Sequence, residues 1–149
     1  MASITLRVLT AGLLVLMLGN RSDAYSHSCP SGWTYYGGCC YIVIKEKLAW
    51  TDAQVACEMI GGDLVKITSS SENYQVGRLV RAAYTSAWIG LNSFEKSGHY
   101  RWIKATTDAS YTKWDSHSRY QKCVLMKTNY YWDDYSCSSK NNFVCEKMV

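Results

Sequence analysis

Apolar side chains recur at Ala53, Ala56, Cys57 and Ile60, the i, i+3, i+4, i+7 spacing of one helical face, and again at Val76, Leu79, Val80 and Ala83. Both stripes predict amphipathic helices whose apolar faces pack on a core. Thr51 or Asp52 caps the first, and Gly61-Gly62 stops it, because glycine tolerates the left-handed conformation that ends a helix. The second opens on Ser69-x-x-Glu72, a capping-box spacing.

Shorter runs rich in β-branched and aromatic residues predict strands at 40–44, 87–91, 100–103, 123–126, 130–132 and 143–145. From about residue 92 to 122 no period is sustained. A loop of that length in a compact domain is functional or disordered. Its tryptophans and tyrosines argue against disorder. Early helices followed by short strands that largely do not alternate with them define an α+β domain.

The amino terminus reads differently. One basic residue in residues 1–7, an apolar run over 8–19, and Ser22-Asp23-Ala24 follow the order of a secretory signal peptide. The run is shorter than the roughly eighteen residues a membrane span needs. Residues 1–24 are therefore expected to be a signal peptide and 25–149 a single domain, with no membrane span and no linker. Net charge is +4, with basic residues scattered along the chain, so no nucleic-acid footprint is evident.

All seven cysteines fall after this leader: Cys29, Cys39, Cys40, Cys57, Cys123, Cys137 and Cys145. Behind a secretion signal they predict a disulfide framework and an extracellular location. Six paired cysteines allow about fifteen connectivities, which spacing alone does not resolve. The seventh is a free thiol or a bridge to a second chain.

Taken in order, the motifs resemble the C-type lectin-like domain. They are Cys29-Pro30-x-Gly32-Trp33, Cys40-Tyr41, Trp50-x-x-Ala53-x-x-x-Cys57 and Gly61-Gly62-x-Leu64-Val65-x-Ile67. Trp88-Ile89-Gly90-Leu91, Trp102, Trp114, Cys123-Val124-x-Met126, Trp132-x-Asp134-x-x-Cys137 and Phe143-Val144-Cys145-Glu146 complete the series. The resemblance spans residues 29–149. It implies two helices with small antiparallel sheets and a long loop region, stapled by Cys29–Cys40, Cys57–Cys145 and Cys123–Cys137. Cys39 is left over, a candidate for a disulfide-linked homodimer.

The resemblance also implies a function. Sugar-binding members hold a calcium ion with oxygen ligands from a Glu-Pro-Asn or Gln-Pro-Asp triplet, a Glu before the third framework cysteine, and a Trp-Asn-Asp strand. Calcium takes six to eight hard oxygen ligands, and vicinal sugar hydroxyls complete the shell. Here Trp132-Asp133-Asp134 replaces the last motif and Gln121 stands where the Glu is expected. The triplet is missing. Asp133, Asp134 and Gln121 are thus the candidate calcium ligands of a degenerate site, with Asp115 as a further carboxylate. Lys113, Arg119 and Lys122 lie close in sequence and oppose a cation.

By the topology the resemblance implies, Tyr111, Trp114, Tyr120, Tyr130, Tyr131 and Tyr135 are expected on or near the loop face, while Trp102, Trp114 and Trp132 suit the core. The expected ligand-binding set is Asp115, Arg119, Tyr120, Gln121, Asp133 and Asp134. The function expected first is secreted carbohydrate recognition, on glycans or glycoproteins. The alternative is a calcium-independent module binding a protein partner in a toxin-like or receptor-ligand role. No hydrolase elbow, zinc-protease motif or phosphate loop is present, so no enzyme is expected.

Overall fold

The computed structural model describes residues 28–115 and 120–149. The leader assigned to residues 1–24 lies outside them. In chain order the elements are β1 (Thr34–Tyr36), β2 (Cys39–Leu48), α1 (Trp50–Met59), β3 (Asp63–Leu64) and α2 (Ser70–Ala82). They continue with β4 (Ala87–Asn92), β5 (Arg101–Trp102), β6 (Cys123–Met126), β7 (Trp132–Tyr135) and β8 (Asn141–Met148). The sheet runs β1-β2-β8-β4-β6-β7, with β3 beside β8 and β5 beside β4. Among the named strands only the β4–β8 pair is parallel.

Side chains alternate across this sheet, and each face carries its own core. Val124, Met126, Ile89 and Leu91 join Val76 and Val80 of α2 in one cluster. Cys123, Leu125 and Trp88 join Ala53 and Cys57 of α1 in the other. Both predicted helical stripes thus pack as expected, except that Ile60 is 41% exposed and ends its helix.

The helix ends are instructive. α1 begins at Trp50, one residue before the predicted caps, and Ala49 makes no side-chain cap. Instead the Trp50 backbone N–H donates to Cys137 O at 3.0 Å. A long-range bond thus replaces the local cap. At the other end Gly61 N–H donates to Glu58 O and Gly62 N–H to Cys57 O, with Gly61 at φ 80°. That is the glycine-dependent Schellman closure. In α2, Ser69 Oγ accepts from Glu72 N at 3.2 Å. The Glu72 carboxylate does not return to Ser69; it accepts from Thr68 N at 2.7 Å and from the Tyr41 hydroxyl at 2.7 Å.

The strand expected at 130–132 is displaced to Trp132–Tyr135. Tyr130 sits in a turn at φ 72°, where Lys127 N–H donates to Tyr131 O and Tyr130 N–H to Lys127 O. The strand expected at 100–103 shortens to Arg101–Trp102. The short strands β1 and β3 were not predicted.

Cys57–Cys145 joins α1 to β8, Cys123–Cys137 closes the base of the β6–β7 hairpin, and Cys29–Cys40 ties the first described residues to β2. A chain-entropy model gives about 4–5 kcal/mol for the 88-residue separation and about 3 for those of 14 and 11. Cys39 is a free, half-buried thiol on β2, paired on one side with Tyr36 and on the other with Met148.

Candidate functional site: the loop and hairpin face

The aperiodic region is ordered by rings. Trp132, fully buried, meets Trp102 at 5.5 Å, Tyr111 at 5.7 Å and Trp114 at 6.2 Å, all edge to face. Tyr100 packs on Trp114 at 4.7 Å. Such pairs favour this geometry because a positive ring edge meets a negative face. The loop backbone is threaded onto the hairpin as well: Trp132 N–H donates to Lys113 O at 2.7 Å and Asp115 N–H to Trp132 O at 2.8 Å. Asn73 of α2 fixes the hub from below. Its Oδ1 accepts from Trp132 Nε1 at 2.8 Å, and its Nδ2 donates to Tyr130 O at 3.1 Å.

These bonds place Asp115 beside the hairpin. In the β6–β7 register Leu125 opposes Asp133, so Lys127, Tyr131, Asp133 and Tyr135 lie on one face by the two-residue period. Lys127 Nζ donates to Asp115 Oδ2 at 2.6 Å and stands 3.9 Å from Asp133 Oδ2. The protein's own ammonium therefore sits against two of the expected carboxylates. The bond to Asp115 holds the Lys127 pKa above its ordinary range, outweighing partial burial. Lys113 Nζ lies 4.8 Å from the Tyr131 ring centroid, a cation–π contact.

Asp134 behaves differently. Its carboxylate accepts the backbone N–H of Gln121, bracing the start of β6. Gln121 also presents its carbonyl to the Tyr100 hydroxyl at 2.7 Å. Of the candidate calcium ligands, then, Asp134 holds the Gln121 backbone and Asp133 faces a lysine. Among the described residues no group of three or more His, Cys, Asp or Glu side chains is poised to hold a metal. Tyr120 is 84% exposed, Tyr131 39% and Tyr135 43%. Tyr111 and Tyr130 face inward, towards Trp132 and α2 respectively. Arg119 lies outside the described residues.

Sequence reasoning missed Lys127 and Asn73. The signal for Lys127 was its two-residue offset from Leu125 opposite Asp133, readable once the turn is placed correctly. Asn73 stands three residues before Val76, on the apolar stripe, and its polarity hid it.

A disulfide-braced domain with a two-faced core, and with its polar and aromatic groups gathered on one loop-and-hairpin surface, is a binding module. The chain belongs to the C-type lectin domain family, whose model, Lectin C-type domain, matches residues 46–147. It is 37% identical to one of the polypeptides of the snaclec agkisacutacin of Deinagkistrodon acutus, over 91% of this chain and 93% of that protein. In structure it is similar to the carbohydrate-recognition domain of the human scavenger receptor C-type lectin. The TM-score is 0.75 at 28% identity, covering 82% of this chain and all of that one. A calcium-independent type II antifreeze protein superposes at TM-score 0.72 and 26% identity, over 81% and 95% of the two chains. The fold is that of a non-enzymatic family of binding modules, in which calcium is common but not universal. Among the described residues no helix is long and apolar enough to cross a membrane.

Proposed function

We propose that this chain is a secreted recognition protein, not an enzyme, which binds carbohydrate on glycans or glycoproteins without resident calcium. The observation carrying this reading is Lys127 at 2.6 Å from Asp115 and 3.9 Å from Asp133. An internal cation there competes with a calcium ion for Asp115 and Asp133. The hairpin face keeps what a sugar uses: exposed rings at Tyr131 and Tyr135 for stacking, with Asp133, Asp115 and Lys127 between them for hydroxyl hydrogen bonds. Tyr120 is a further exposed ring, and Lys113 over the Tyr131 ring would favour an acidic or sulfated glycan. Asp134 and Gln121 act as braces of the loop base rather than as ligands.

The second reading, a protein partner bound without calcium, draws on the same exposed tyrosines, which serve equally as protein hot spots. Cys39 takes no part in either. Burial, and then the neighbouring Glu146, push its thiol pKa up, which slows it as a nucleophile at neutral pH.

Glycan-array binding in EDTA tests the proposal. Hits that persist in EDTA and fade in Tyr131→Ala and Tyr135→Ala support it. Hits abolished by EDTA overturn the calcium-free mode. No glycan hit, with a protein recovered through the same tyrosines, moves the assignment to the second reading.

A further inference from the structure

A second surface lies on the outer side of α2, built from side chains other than those of Lys127, Asp115 and Asp133. A groove of about 610 Å³ runs between α2, β1 and the 127–131 turn, and a neighbouring hollow of about 660 Å³ shares Arg81, Tyr84 and Tyr130 with it. Five tyrosines and two arginines line the first, with Leu79 and Ala82 as apolar floor and no carboxylate among its lining residues.

Three features set this groove apart from an ordinary helix surface. Arg78 and Arg81 are exposed at i and i+3, where like charges repel. Neither has an ion pair among the described residues, and no acid stands three or four positions away on α2 to relieve them. Glu72, the nearest acid on the helix, is already held by Thr68 and Tyr41.

Backbone strain also concentrates here. Tyr84 follows the C-cap of α2 at φ 54°, a position glycine favours, yet its ring is 92% exposed and buries almost nothing. Tyr130, at φ 72°, stacks on Tyr74 at 5.7 Å with the rings 10° from parallel. Its ring fits only because position 77 is glycine: a Cβ there would stand 2.0 Å from Tyr130 Cδ1. Glycine inside a helix weakens it, so α2 gives up helix strength to seat this ring.

We propose that this groove docks an extended acidic peptide segment of a partner protein, with its carboxylates on Arg78 and Arg81 and its apolar side chains against Tyr74, Tyr84 and Tyr130. Guanidinium forks pair with carboxylates in bidentate fashion, and tyrosines supply rigid contact area. Two arginines in a mostly aromatic trough suit a peptide better than a sulfated polysaccharide, which is held by long runs of cations.

Fluorescence anisotropy with a labelled Glu/Tyr peptide tests this on the intact chain, against a Lys/Tyr peptide and a heparin-derived oligosaccharide. Saturable, salt-sensitive binding of the acidic peptide is expected, weakened about tenfold or more in R78E/R81E. Tyr84→Gly relieves the left-handed strain, so it should melt no lower than the parent while binding the peptide more weakly. No saturable binding, equal binding by R78E/R81E, or binding of the oligosaccharide alone would overturn the proposal. None of these outcomes bears on glycan binding at the hairpin face, which uses other side chains.

Discussion

Replacing Lys127 with methionine keeps most of its aliphatic stem and removes the charge. Asp115 and Asp133 then lose their ammonium partner while remaining largely out of water, at 23% and 15% side-chain exposure. A fully buried pair broken in this way costs about 3–5 kcal/mol. An exposed pair costs under about 1. The intermediate burial, with Lys127 itself 27% exposed, puts the loss near 2 kcal/mol. For a domain of this size that lowers Tm by roughly 6–10 °C. Differential scanning calorimetry in EDTA at neutral pH measures it. A variant that melts with the parent in EDTA would refute the reasoning, since the ammonium would then be a surface ornament.

Other outcomes follow from the same structure. Asn73→Ala leaves the Trp132 indole N–H and the Tyr130 carbonyl without a partner, and should cost about 2–4 kcal/mol by urea unfolding. Burial pushes Glu146 up to about 7 from an ordinary 4.5. Its folded form therefore holds a proton that the unfolded chain releases, and stability falls as pH rises from about 4.5 through 7. Glu146→Gln should abolish that fall, melting higher than the parent at pH 8 and close to it at pH 4.5. Cys39 should react with a thiol reagent only slowly at neutral pH and faster above the ordinary thiol range, and a non-reducing gel should show a monomer.

Both helices and the central strands were legible because they rest on period and composition. Alternation at Val124 and Met126, and the stripes at Ala53–Cys57 and Val76–Val80, are dictated by burial alone. What was hidden depended on one turn. Tyr130 takes a left-handed conformation that tyrosine seldom adopts, so sequence placed it in a strand. That shifted the start of β7 and concealed that Lys127 faces Asp133. The start of α1 was misplaced for a related reason: its first N–H is satisfied by Cys137, 87 residues away in sequence, rather than by a local cap. Long-range bonds of this kind leave no local trace.

Calcium chloride titrated into the parent chain and into Lys127→Met, side by side in a calorimeter, tests the central claim most directly. The parent should give dilution heat alone, Asp115 and Asp133 being already answered by an internal ammonium. Saturable, stoichiometric uptake by the parent at millimolar calcium or below would contradict the account.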